Sequence, residues 1–328
     1  MAMVTDETGP LSPPKASSIK ALNNLTSCSE DTASTACTRS SDTSPESRTS
    51  EESACDQRER TGHRSQRCQR EEMPEDITRI PAYPFRADFR LKFDPDNRVN
   101  VISQRCQVAE GPRAIAVLLP GVHGGVGPCR EPGRDYDANC LYAMVAKRLL
   151  AMNAPVDVYR CSWPFMRPDM HFSLGAVCRV LRHGLKQVDS SKTPTVRVVV
   201  VGHSLGGAVA LHAASLLSQF HADGRRLTGA PAPEARITGF CTLNGACDVR
   251  HSEGRSDVLK NLRGLKALLV SGDADEVVPP QYTAELYKAL RGKDKRHLSL
   301  PNGAHDLYSH KETLIEEVSN FIISCSKD

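Results

Sequence analysis

Apolar residues fall into short, regular runs in the later three quarters of the chain, and the first 80 residues contain no such runs. Ala114–Leu119 and Val198–Val201 are uninterrupted aliphatic stretches, which indicate strands buried on both faces. Ala87–Phe93 and Arg98–Gln104 alternate polar and apolar residues, as strands with one exposed face do. The pattern therefore predicts a sheet that begins with two half-exposed edge strands.

Helical periodicity and further apolar runs alternate through the rest of the chain. We predict helices over Tyr136–Met152, Leu174–Val188, Ala208–Phe220, Ser256–Leu262, Gln281–Leu290 and Lys311–Ile323, and further strands over Val156–Cys161, Arg236–Leu243, Leu265–Val270 and His297–Leu300. Two edge strands followed by strand–helix alternation predict an α/β fold, with a mostly parallel central sheet flanked by helices and an antiparallel start.

The N-terminal segment differs in composition from the remainder. Residues 1–80 are rich in Ser, Thr, Glu, Asp and Arg and lack periodic apolar residues, so this length cannot bury a core. We predict a disordered N-terminal tail over residues 1–80 and one folded domain over residues 81–328. The tail lacks the basic-then-apolar pattern of a secretion signal, so we expect a cytoplasmic location, with organelle targeting by the tail left open.

Composition narrows the classes of partner and cofactor. The 328-residue chain has a formal net charge of +3, which argues against a nucleic-acid partner, and no apolar run is long enough to span a membrane. The twelve cysteines include no C-x-x-C pair, so we expect free thiols; Cys129 and Cys140 are the pair of most interest. No metal-ligand spacing, dinucleotide fingerprint or Walker motif occurs, so no metal or other cofactor is expected.

A serine lies in the turn between the most apolar strand and the helix that follows it. The segment Gly202-His203-Ser204-Leu205-Gly206 reads G-x-S-x-G, with a predicted strand before it and a predicted helix after it. The glycines permit a tight turn that exposes the serine hydroxyl at a helix N-terminus. A capping serine is the alternative, but the strand–turn–helix context favours a nucleophile. We interpret His203 as a packing residue that shapes the pocket.

A serine nucleophile needs a base, and that base needs an orienting carboxylate. Both residue types occur later in the chain, each after the end of a predicted strand. His305 follows the last strand in a glycine-containing loop, and we predict that it is the general base. Asp273, Asp275 and Glu276 crowd the turn after the preceding strand, and each is a candidate for the carboxylate.

From about residue 85 to its end the chain resembles the α/β-hydrolase family, through its G-x-S-x-G turn and the order of acid before histidine. That family's pattern after the seventh strand is Gly-x-x-Asp-x-x-x-Pro, which Gly272, Asp275 and Pro279 match. The resemblance therefore selects Asp275 as the acid of a catalytic triad with Ser204 and His305. It leaves the other two carboxylates of that turn as solvated residues.

The resemblance also implies an oxyanion hole made of backbone N–H groups. Removing one such donor typically costs about 2.7–4 kcal/mol of barrier, so at least two positions should be identifiable. Leu205, directly after the nucleophile, supplies one N–H. The second is expected from the loop after the third strand, where Pro120-Gly121 stands in place of the family's usual His-Gly. By position the donor is Val122, and in an alternative register it is His123.

The expected function is that of a serine hydrolase that cleaves an ester, or a thioester or amide, through an acyl-enzyme. Lipase, thioesterase and acyl-peptidase activities are alternatives on the same fold, and a non-catalytic binding scaffold is an alternative from another class. Only about twenty residues, Cys247 to Leu265, separate the sixth and seventh strands of the family pattern, which leaves no room for a long apolar lid. We expect a small-molecule or acyl substrate; its identity and the oligomeric state stay open.

Overall fold

A computed structural model describes most of the folded part of the chain. The described residues are 77–78, 89–92, 98–109, 111–121, 140–162, 170–228, 232–247 and 255–327. The tail predicted over residues 1–80 lies outside them, except for a two-residue strand at Ile77–Thr78. Residues 122–139 are also outside, and with them Cys129 and the predicted oxyanion donors Val122 and His123.

Nine strands in the described part of the chain form one sheet. They are β1 (Ile77–Thr78), β2 (Phe89–Lys92), β3 (Arg98–Gln104), β4 (Ala114–Leu119), β5 (Val156–Ser162), β6 (Thr195–His203), β7 (Glu234–Leu243), β8 (Lys266–Gly272) and β9 (Lys295–Leu300). The spatial order is β1-β2-β3-β5-β4-β6-β7-β8-β9. The pairs from β1 to β5 are antiparallel and all the later pairs are parallel, which confirms the predicted mostly parallel sheet.

Helices cover both faces of this sheet. They are α1 (Leu141–Ala151), α2 (Met170–Lys186), α3 (Leu205–Ala222), α4 (Arg255–Asn261), α5 (Pro280–Ala289) and α6 (Lys311–Ser326). The first apolar core combines one face of the sheet with α2, α3, α4 and α5, and the second combines the other face with α1 and α6. The α/β prediction is confirmed. Among the described helices, none has the length and apolar character needed to cross a bilayer.

Five of the six described helices begin at other residues than the sequence pattern predicts, and the starts of α1 and α2 differ most. α1 begins at Leu141 and not at Tyr136, because the backbone of Cys140 is extended and its Sγ accepts the N–H of Ala143 as a cap. α2 begins at Met170, before the predicted Leu174, because its first turn packs partly buried against the core. Neither start carries a motif that the sequence could reveal.

The cysteines in the described part of the chain all carry free thiols. Six of these seven are buried, and the seventh, Cys106, is half-buried. Burial raises the pKa of six of them, in the case of Cys161 to about 12, so these six thiols stay protonated and unreactive at neutral pH. They are Cys106, Cys140, Cys161, Cys178, Cys241 and Cys247. Cys140 is among them, while Cys129, the other cysteine of the pair of interest, lies outside the described residues.

Candidate active site

Four strands end side by side at the carboxyl edge of the sheet, and each leads into a residue of the candidate site. Ser204 follows β6, Asn244 follows β7, Asp275 lies in the turn after β8, and His305 lies in the loop after β9. Parallel strands present their carboxyl ends at one edge, where α/β sheets form their clefts. The sheet thus brings together residues from four distant parts of the sequence.

Ser204 occupies a strained turn between β6 and α3. Its φ of 53° and ψ of −121° lie in a region that non-glycine residues rarely adopt. Its N–H donates to the carbonyl of Leu243 at 2.9 Å, and its own carbonyl accepts the N–H groups of Gly207 and Ala246, each at 2.9 Å. The bonds to Leu243 and Ala246 attach the serine to the end of β7 and the segment after it, and together with the bond from Gly207 they stabilise this rare conformation.

The glycines two residues before and two residues after Ser204 are required because neighbouring backbone lies very close to both positions. A Cβ on Gly202 would collide with the backbone of Gly206, one turn further along the chain. A Cβ on Gly206 would in turn collide with the carbonyl groups of Leu119 and Pro120 at the end of β4. A side chain at either position would push the turn apart, so the G-x-S-x-G pattern is a packing requirement of this element.

Asp275 and His305 form a hydrogen-bonded pair. His305 Nδ1 lies 2.8 Å from Asp275 Oδ2, and the N–H groups of Val277 and Val278 donate to Oδ1 at 2.8 and 2.9 Å. Burial acts to raise the pKa of Asp275, but the hydrogen bonds from His305 and the two backbone N–H groups outweigh it and hold the pKa below its usual value. An ionised carboxylate only accepts, so Nδ1 of His305 carries a proton and Nε2 of the neutral ring can take one up.

His203 lies between the serine turn and the loop of His305. Its side chain is buried, its Nε2 is 2.8 Å from the carbonyl oxygen of His305, and the two rings are 5.0 Å apart. Burial lowers the pKa of His203 to about 4, so the ring is neutral at neutral pH. A carbonyl only accepts, so Nε2 is the protonated nitrogen. His203 packs in the site as predicted, and it is also a hydrogen-bond donor.

Asn244 is a site residue that sequence reasoning missed. It is buried with a φ of 44°, and its Nδ2 donates to the carbonyls of Ala304 and His305 at 3.0 and 3.1 Å. Its Oδ1 accepts the N–H of Gly272 at 2.8 Å, so one amide links the ends of β7 and β8 to the histidine loop. The available signal was an asparagine directly after a buried strand, a residue type that tolerates positive φ.

The predicted oxyanion donors are described only in part. Leu205 is the first residue of α3, where N–H groups have no partner within the helix. Val122 and His123 lie outside the described residues, so the choice between them stays a prediction. Gly121, directly before them, packs against the serine turn, because a Cβ placed on it would lie 3.3 Å from the Cβ of Ser204.

The three residues of the predicted triad are therefore linked to different degrees. Asp275 and His305 are in direct contact, while among the described residues no hydrogen bond joins the Ser204 hydroxyl to His305. Such bonds often form only when substrate is present, so the triad stays a prediction. In the same part of the chain no group of three His, Cys, Asp or Glu side chains is arranged to hold a metal ion.

Sequence comparison finds a family model that matches one segment of the chain. Residues 155–230 match the family described as Lipase (class 3), a segment that runs from β5 through α3 and includes Ser204. The uncharacterized protein YfhR of Escherichia coli O157:H7 is 30% identical over 134 residues, which are 39% of this chain and 46% of that protein. The chain therefore spans less than half the length of this curated relative.

Structural comparison extends the likeness to most of the domain. Est1E from Butyrivibrio proteoclasticus superimposes with a TM-score of 0.50 and 15% sequence identity, covering 72% of this chain and 98% of Est1E. At this level of identity the likeness concerns the fold, and it carries no information on the substrate.

Proposed function

We propose that the chain is an α/β-hydrolase and a serine hydrolase that cleaves carboxylic esters through an acyl-enzyme; the segment match to Lipase (class 3) and the likeness in fold to Est1E support this proposal. Ser204 is the nucleophile, His305 the general base, and Asp275 the residue that orients the base. One observation carries the proposal: the 2.8 Å contact between His305 Nδ1 and Asp275 Oδ2 lies at the same sheet edge as the strained serine turn.

In the first half of the reaction, the Ser204 hydroxyl oxygen attacks the acyl carbon while Nε2 of His305 takes its proton. Asp275 stays ionised and stabilises the resulting imidazolium. The negative charge on the tetrahedral intermediate is met by the N–H of Leu205 and by that of Val122 or His123. His305 then gives its proton to the leaving alcohol oxygen, and the acyl group remains on Ser204.

In the second half of the reaction, the oxygen of a water molecule attacks the acyl carbon while His305 takes a proton from that water. Collapse of this intermediate releases the carboxylic acid and returns the proton to the Ser204 oxygen. The same groups would cleave a thioester or an amide, so the lipase, thioesterase and acyl-peptidase alternatives differ in substrate and not in machinery. The short connection between β7 and β8, which includes α4, supports a small or extended acyl substrate.

Labelling with a fluorophosphonate probe tests the nucleophile. We expect the wild type to be labelled and Ser204→Ala to be unlabelled with a melting temperature close to that of the wild type. Ser271→Ala is the matched control, because Ser271 is also a buried serine, its Oγ lies 2.9 Å from Nε2 of His297, and the proposed reaction does not use it. This control should label at the wild-type rate.

Two results would contradict the proposal. Labelling of Ser204→Ala at the wild-type rate would exclude Ser204 as the nucleophile. A folded wild type that takes no label would instead favour the non-catalytic binding scaffold. If labelling depends on Ser204, a panel of nitrophenyl esters of increasing acyl length, with a matched thioester and amide, identifies the preferred substrate class.

A further inference from the structure

His203 contacts the backbone of His305, the proposed base. No step of the proposed reaction uses the His203 side chain. Its Nε2–H donates to the carbonyl oxygen of His305 at 2.8 Å, across 102 positions of sequence. The donor is adjacent in the chain to Ser204, so a single peptide bond separates this contact from the nucleophile. This hydrogen bond therefore links the chain beside the nucleophile directly to the backbone of the base.

The other ring nitrogen of His203 faces a third part of the site. Nδ1 lies beside Gly121, since a Cβ on Gly121 would be 3.4 Å from it and 3.3 Å from the Cβ of Ser204. The buried ring thus sits between the chain that leaves β4 and the loop that carries His305. Its position is set from two sides, which makes it a rigid donor.

Asn244 donates to the same carbonyl oxygen, at 3.1 Å. The main chain of His305 therefore receives two hydrogen bonds from the ends of β6 and β7. The imidazole is held separately, through Nδ1, by Asp275 at 2.8 Å. With both the backbone and one ring nitrogen fixed, the direction of Nε2 is determined.

We propose that His203 is a positioning residue for His305, which acts by holding the carbonyl of His305 at a set distance from Ser204. This inference rests on the proposed function, in which His305 is the base for Ser204. A reacting group displaced by about 1 Å can lose on the order of 10²-fold in rate. Loss of the His203 donor should therefore lower turnover without removing any reacting atom.

The experiment compares substitutions that keep or remove the donor. His203→Leu removes it, His203→Gln places an amide N–H near the position of Nε2, and His203→Asn has an amide too short to reach. His212→Leu is the matched control, because His212 is also held neutral by burial, with a pKa of about 4, and its side chain has no hydrogen bond within the described residues. In His203→Leu the Asn244 amide still donates to the His305 carbonyl, so the fold should persist.

We expect the fluorophosphonate labelling rate and the kcat for nitrophenyl acetate to fall by on the order of 10²-fold in His203→Leu. KM should stay near the wild-type value, because His203 does not touch the substrate. His203→Gln should recover most of the lost rate, His203→Asn should not, and His212→Leu should match the wild type. If His203→Leu does not fold, the comparison of Gln with Asn decides the question.

A spectroscopic measurement separates this inference from the proposed function. The proton on His305 Nδ1 that faces Asp275 should give a far-downfield NMR signal, sharp in the wild type and broadened by exchange with water in His203→Leu. A His203→Leu protein that keeps both the sharp signal and the wild-type labelling rate would overturn the positioning role. A third outcome separates the two proposals: the wild type takes no label, but its sharp NMR signal is lost in His203→Leu. That outcome would support the positioning role and contradict the proposed hydrolase activity.

Discussion

Asp275 decides which nitrogen of His305 carries a proton. Its carboxylate accepts from His305 Nδ1 and from the N–H groups of Val277 and Val278, so all its contacts are with donors. A neutral imidazole has one N–H, and this carboxylate places it on Nδ1. Nε2 is then the acceptor that the proposed reaction requires.

Replacing the carboxylate with an amide should reverse that arrangement. In Asp275→Asn the remaining oxygen can still accept the N–H groups of Val277 and Val278, and the amide N–H₂ then faces His305 Nδ1. Two donors cannot bond, so the histidine must shift its proton to Nε2, and kcat should fall by about 10⁴-fold. Steady-state ester hydrolysis measures this effect.

Asp273→Asn is the matched control for that substitution. Asp273 lies on the same turn, is exposed, and uses Oδ1 to accept the N–H of Asn302 at 2.5 Å. It makes no contact with His305 within the described residues, so activity should be retained. A large loss of activity in Asp273→Asn, combined with wild-type activity in Asp275→Asn, would show that Asp273 is the acid and that the assignment to Asp275 is wrong.

At the residue scale, motifs and strand ends mark the candidate site residues in the sequence. Ser204, Asp275 and His305 each follow an apolar run, in the order that the resemblance to α/β-hydrolases implies. The donor role of His203 and the presence of Asn244 could not be predicted in this way, because their partners lie 102 and 61 positions away. Such bonds depend on how the loop after β9 folds back over β6 and β7, and no local pattern encodes that.

At the scale of elements, the turn from β6 to α3 has the least tolerance for change. A methyl group on Gly202 has no space, because the backbone of Gly206 occupies it. We expect Gly202→Ala to lower the free energy of unfolding by about 3 kcal/mol or more, since backbone on both sides must move. Urea denaturation measures this loss.

Gly264→Ala is the control for Gly202→Ala, because it replaces a glycine whose Cβ would not clash with any neighbour. Gly264 has a φ of +82° and nothing within 4 Å of a Cβ placed on it, so alanine there meets backbone strain without a clash. The expected cost is about 1–2 kcal/mol, the usual penalty of a left-handed conformation. If the two variants lose the same free energy of unfolding, close packing does not explain the glycine at position 202.

The elements that the sequence predicted best are two strands, one half-exposed and one buried on both faces. β3 and β4 occupy the predicted residues, because their apolar patterns are set by the two faces of the sheet. β9 is longer than predicted and begins at Lys295, a charged residue that a strand pattern would exclude. Its ammonium group donates to the carbonyls of Tyr287 and Leu290 at 2.6 and 2.8 Å, a tertiary contact that offsets the low propensity of lysine for strands.

At the scale of the whole molecule, histidines held neutral by the fold make stability depend on pH. Burial lowers the pKa of His203 and His212 to about 4 and also lowers that of His297. Between pH 4 and 6.5 the unfolded chain binds protons at His203 and His212 and the folded chain does not. Their stabilising effect is therefore complete above pH 6.5 and is lost as the pH falls toward 4.

His212→Leu should make the free energy of unfolding less dependent on pH. Between pH 5 and 6 a histidine of this kind contributes a slope of about 1 kcal/mol per pH unit, and the variant should lack it. Asp157, whose pKa burial raises, acts in the opposite direction, but it is present in both proteins and cancels from the difference. Denaturant titrations of wild type and variant across this range measure the two slopes. Parallel slopes would mean that the folded protein protonates His212 as readily as the unfolded chain does, and that the α3 side of the core admits water.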